Sequence, residues 1–162
     1  MLKRIILHWT AGRNFPNQVD LEHYHYVIDG DGKIYLGKFS PESNIVCKSG
    51  QYAMHTKLGN TGSIGVSMCG MLGYINPFRI GKYPITKQQV EKCFSLCAKL
   101  CKKYSIQPIK GNITTHYHFN QKHSIKTGKI DINFLPPYPF VKDFEMEDFM
   151  IDKIKWYFKC KD

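Results

Sequence analysis

The sequence predicts a single α/β domain with a central, mostly mixed β-sheet flanked by helices. Short β-branched and apolar runs alternate with stretches of helical spacing, and no internal repeat, low-complexity tract or linker rich in Gly, Ser and Pro divides the chain. With 162 residues, 43% of them hydrophobic and 14% aromatic, a chain of this size buries roughly 70% of its unfolded surface without disulfide or oligomeric help. Residues 1–162 are therefore read as one unit.

Lys3 to Trp9 is the first strand, broken at Thr10-Ala11-Gly12, so His8 falls near its C-terminal end. His23 to Ile28 and Lys33 to Leu36, joined by Asp29-Gly30-Asp31-Gly32, read as a β-hairpin. Alternation along its first arm puts Tyr24, Tyr26 and Ile28 on one face and His23, His25 and Val27 on the other. Tyr24 and His25 are thus not expected to face one site.

Residues 38–62 read as loop with one short helix, and Ile64 to Cys69 as a buried strand. Thr86 and Gln89 fit a capping box opening a helix whose apolar face is Val90, Phe94, Cys97, Leu100 and Cys101, ending near Tyr104. Asn112 to His116 is a short strand, again closed by histidine. Tyr117 to Ile130 is polar and aperiodic and reads as a surface loop over a site. Pro136, Pro137 and Pro139 interrupt regular structure, and Phe144 to Phe158 resumes helical spacing through Phe149, Ile154 and Tyr157.

The 23 Lys+Arg against 13 Asp+Glu give a net charge of +10, which favours an acidic partner: nucleic acid, an anionic wall polymer or a membrane surface. No apolar run approaches bilayer length, so no transmembrane segment is expected. The N-terminus lacks the apolar core and cleavage site of a signal peptide, which points to synthesis in the cytoplasm. The six cysteines contain no CxxC pair and are expected to be reduced thiols. Cys93, Cys97 and Cys101, spaced four apart, form a helical stripe of small buried hydrophobes.

His8 and His116 each close an expected strand, where α/β sheets place ligand-binding groups, and histidine is the commonest metal ligand. In Lys129-Ile130-Asp131 the two charged side chains project to the same side of an extended segment. His8, His116 and Asp131 would give three N/O ligands and leave zinc a fourth position, the catalytic arrangement. On spacing alone, structural histidines and a solvated Lys–Asp pair remain the competing reading.

Five collinear motifs extend this. Arg4-Ile-Ile-Leu-His8-Trp-Thr-Ala11, His23-Tyr24-His-Tyr-Val-Ile-Asp-Gly-Asp-Gly32, Asn60-Thr-Gly-Ser-Ile-Gly-Val66, Thr115-His116 and Gly128-Lys-Ile-Asp131-Ile together resemble the zinc-dependent N-acetylmuramoyl-L-alanine amidases. The resemblance is strongest to bacteriophage endolysins, which share a fold with animal peptidoglycan recognition proteins, and it spans roughly residues 4 to 136.

Position by position, the resemblance implies His8, His116 and Asp131 as ligands of one Zn2+ per chain, with Tyr24 and Lys129 as catalytic residues. His55 matches a histidine lining the family's cleft, and Thr10 and Asn60 join it as expected substrate-binding residues. The His116–Lys129 segment is longer than in shorter phage enzymes and holds His118 and His123 as rival ligands. The implied substrate is peptidoglycan, cut between the lactyl group of N-acetylmuramic acid and L-alanine. The chain is expected to be a monomer without a separate cell-wall-binding domain and, lacking a basic-aromatic RNA motif or a DNA recognition helix, without a stable nucleic-acid partner. An endolysin without a signal peptide is expected to reach the wall from the host cytoplasm after membrane permeabilisation. A non-catalytic peptidoglycan-binding module of the same fold, and a cytosolic muropeptide-recycling amidase, are the alternatives.

Overall fold

The computed structural model describes residues 1–160. Five strands, β1 (Arg4–Trp9), β2 (Tyr26–Ile28), β3 (Ile34–Leu36), β4 (Ser63–Met68) and β5 (Ile113–Thr115), form one sheet in the order β3-β2-β4-β1-β5. The β1–β4, β1–β5 and β2–β4 pairs are parallel, and only β2–β3 is antiparallel. The sheet is mixed, as the sequence predicts.

Burial follows the pleat. Ile5, Leu7 and Trp9 of β1 join Ile64, Val66 and Met68 of β4 in the core, while His8, in register with Ser67, belongs to the opposite face. The long helix α2 (Lys87–Tyr104) packs on the core side with α4 (Met146–Lys159) against it. Thr86 and Gln89 make the expected capping box, and Ser105 ends α2 in the left-handed region. Buried Gln89 also donates from Nε2 to the carbonyls of Ile28 and Cys69, at 2.7 and 2.8 Å. That side chain ties the start of α2 to the ends of β2 and β4. Cys93, Cys97 and Cys101 are free and buried in this helix; a hydrogen bond with Cys93, and burial, push the Cys97 thiol well up. The stripe is packing.

Two short helices differ from the sequence reading. Residues Gln18–His23 form α1, capped by Asn17 in a reciprocal box with Asp20, so the hairpin strand begins only at Tyr26 and Tyr24 is the C-cap of α1. Residues His116–Lys122 form α3 within the expected loop, because the Thr115 hydroxyl accepts from the His118 N–H and starts a helix. His116 therefore opens a helix as well as following a strand. Among the described residues, no helix is long and apolar enough to cross a membrane.

Candidate metal centre

Three segments distant in the chain converge at one end of the sheet. His8 is delivered by β1 on the face away from α2, and His116 by the first residue of α3, which follows the parallel neighbour β5. Asp131 ends the segment returning from α3, held there by its backbone carbonyl accepting from the Tyr117 N–H at 2.6 Å. One carboxylate oxygen, Asp131 Oδ2, lies 2.9 Å from His8 Nδ1 and 3.3 Å from His116 Nδ1. All three side chains are buried.

The electrostatics suit a cation. Burial pushes the His8 imidazole down to about 4 against the opposing pull of Asp131, so it is neutral at physiological pH with a lone pair to give. Burial alone would raise the Asp131 carboxyl, but hydrogen bonds from His116 and His8 hold it below its ordinary value. His116 Nε2 is buried without a partner. Among the described residues this is the one group of three His, Cys, Asp or Glu side chains whose ligating atoms all lie within 4.8 Å of one another. Two imidazoles and a carboxylate are the donor set of a catalytic zinc site, and the residues fit that ion.

A cavity of about 460 Å³ opens over the cluster, lined by Thr10, Tyr24, His55, His116, Lys129 and Asp131 among others. The ring of Tyr24 lies 5.0 Å from that of His8. Burial and the nearby carboxylates of Asp131 and Asp20 raise its phenol far above the ordinary range, so Tyr24 stays protonated and can donate. Lys129 is exposed at the rim of the same cavity. A neutral phenol and an ammonium thus border a carboxylate–imidazole cluster, a set of groups able to bind and polarise a carbonyl.

Residues 2–132 match the family model described as N-acetylmuramoyl-L-alanine amidase. The chain belongs to that amidase family. Its fold is similar to those of solved amidases. N-acetylmuramoyl-L-alanine amidase LysC from Clostridium intestinale URNW aligns at TM-score 0.57 and 18% identity over 93% of this chain and 85% of that one. The endolysin amidase LysCS from the same organism aligns at TM-score 0.58 and 18% identity over 93% and 84%. The Ph2119 endolysin from Thermus scotoductus MAT2119 bacteriophage Ph2119 gives 0.55 and 16% over 92% and 84%. No curated protein matches the sequence.

In this amidase-family chain the other residues named from the sequence separate into two groups. His55 lines the cavity, with Nδ1 2.9 Å from Thr56 Oγ1 and 3.2 Å from His8 Nε2. It sits against the sheet where Gly65 has no side chain, since a Cβ there would meet the imidazole at 2.6 Å. Thr10 also lines the cavity, although its hydroxyl oxygen accepts from the N–H groups of Gly12 and Gly70 at 3.1 Å. Asn60 is not among the residues lining this cavity. Its Oδ1 accepts from the Thr56 N–H at 2.8 Å and fixes the turn that carries His55.

Neither rival histidine belongs to the cluster. His118 is held by Thr115 Oγ1 and the Asp143 carbonyl, and His123 is the exposed C-cap of α3, its ring against Phe119. The separation expected for Tyr24 and His25 holds: Tyr24 lines the cavity and His25 does not. The His25 ring lies behind the cavity wall, 5.5 Å from that of His55, while Tyr24, the residue before it, faces the metal-binding cluster from the end of α1. His25 accepts from the Gly65 N–H and pairs with Asn44. It braces β4 and the His55 loop.

Proposed function

We propose that the chain is a zinc-dependent N-acetylmuramoyl-L-alanine amidase of the endolysin type, hydrolysing the amide between the lactyl group of N-acetylmuramic acid and L-alanine in wall peptidoglycan. The observation that carries this reading is the buried His8–His116–Asp131 cluster opening into one cavity with Tyr24 and Lys129.

His8, His116 and Asp131 would hold the ion, the carboxylate offsetting part of its charge. Zinc there supplies Lewis acidity to an amide carbonyl and to water at neutral pH. The chain's own groups do the rest. Tyr24, kept neutral by burial, donates a hydrogen bond to the oxygen on which charge develops. Lys129, at the cavity rim, brings a full positive charge towards the same oxygen, where a positioned cation stabilises developing negative charge. His55 and Thr10 line the floor against which the substrate lies. The net charge of +10 aids encounter with an anionic wall, which the protein reaches from the cytoplasm once the membrane is breached.

Incubating the protein with washed murein tests the reading. The amidase releases peptides with new N-terminal L-alanine, loses the activity on chelation and regains it on adding zinc. Retention on murein without new amino termini would instead mark a binding module of the same fold.

A further inference from the structure

We propose that a second cavity beside the candidate metal centre receives the peptide side of the substrate, and that Lys126 reads the free α-carboxylate of the residue after L-alanine. The proposal rests on the amidase reading above and adds a specificity to it. This cavity, of about 430 Å³, is lined by Tyr117, Asn120, Lys126 and Lys129 among others, and shares Gly128, Lys129 and Ile130 with the first. A single stretch of chain, 128–130, therefore walls both.

An amide bound at the metal has a sugar side and a peptide side, and the second cavity has the chemistry of the latter. Asn120 is 6% exposed; its Nδ2 donates to Thr127 Oγ1 at 2.7 Å, while its Oδ1 is buried without a partner. A buried acceptor left unpaired calls for an N–H donor, which a peptide backbone supplies. Lys126 and Lys129 are exposed at this cavity and no Asp or Glu lines it, so the local charge favours a carboxylate. Tyr117 is its one aromatic wall residue, which gives little platform for stacking a sugar. Peptidoglycan stems place D-glutamate after L-alanine, joined through its γ-carboxyl, and carry the α-group either as a carboxylate or as an amide. Only the carboxylate form gains an ion pair with Lys126.

The test compares two soluble substrates, N-acetylmuramoyl-L-alanyl-D-glutamate and its D-isoglutamine counterpart, each with the γ-carboxyl capped as a methylamide, with wild type, Lys126→Gln and Lys126→Arg. The kcat/KM ratio should favour the glutamate form about fivefold in wild type, the scale of one solvent-exposed ion pair. It should fall towards unity in Lys126→Gln and be retained in Lys126→Arg. A wild-type ratio of one, or a ratio that Lys126→Gln leaves unmoved, overturns the proposal. Hydrolysis of neither compound by wild type would sink the amidase reading instead. Calorimetric binding of the two compounds then decides the subsite alone: tighter binding of the carboxylate form, lost in Lys126→Gln, supports it, and equal or absent binding overturns it.

Discussion

The carboxylate of Asp131 and the imidazole of His8, 123 positions apart in the chain, meet at 2.9 Å inside the protein. An ionised carboxylate is costly to bury unless it is paired, and here its partners are two imidazoles, of which His8 is held neutral by burial. Hydrogen bonding satisfies the pair in part, and a divalent ion would satisfy it more fully. The cluster is thus poised for a cation, and the roles assigned to Tyr24 and Lys129 depend on it.

Tyr24→Phe keeps the ring against His8 and removes only the hydroxyl. Turnover on a soluble muropeptide should fall on the order of 10²-fold, the usual scale for losing one positioned donor, while the thermal midpoint changes little. Unchanged turnover would remove the phenol from the mechanism.

Lys129→Ala removes an exposed ammonium at the cavity rim. If its charge acts on the developing oxyanion, kcat should drop on the order of 10²-fold with a much smaller change in KM. A rise in KM alone would make Lys129 a binding group only.

Away from the site, Glu91 accepts from Lys153 Nζ at 2.7 Å, from Tyr157 Oη at 2.7 Å and from the Tyr138 hydroxyl, joining α2 to α4. Partial burial raises its carboxyl, but those three hydrogen bonds outweigh burial and hold it below its ordinary value. A carboxyl depressed on folding stabilises the protein above its unfolded value and loses that contribution as pH falls through the folded one. Glu91→Gln should therefore cost about 1–2 kcal/mol at pH 7, with the difference from wild type closing below about pH 4. Urea midpoints at pH 7 and pH 3 measure it; an equal gap at both would show that the charge of Glu91 is not what stabilises.

The elements that were legible in the sequence are those long enough to show a period or to carry a strong boundary. Helix α2 has eighteen residues with Thr86 and Gln89 at its start, and β1 and β4 are six-residue strands whose core-facing positions are apolar. Helices α1 and α3 have six and seven residues, about two turns at most, too few for a hydrophobic period to emerge. Their only sequence signals are the caps, Asn17 with Asp20 and Thr115. The site follows the same logic. His8, His116 and Asp131 were visible as motif positions, yet their approach to one another depends on the parallel β1–β5 pairing and on the chain's return after α3, which no local spacing encodes. Tyr24 and His25 face different ways as alternation predicts, although both precede β2 and Tyr24 caps α1. Asn60 belongs to a motif, but that position serves the turn behind His55 rather than the cavity.

The most direct test of the account is the zinc content of the purified protein, by elemental analysis, for wild type and Asp131→Ala side by side with unfolding curves for both. The account predicts close to one zinc per folded wild-type chain and a large loss of bound zinc in the folded variant. Equal zinc in the two, or none in a wild type equilibrated with the metal, would contradict it.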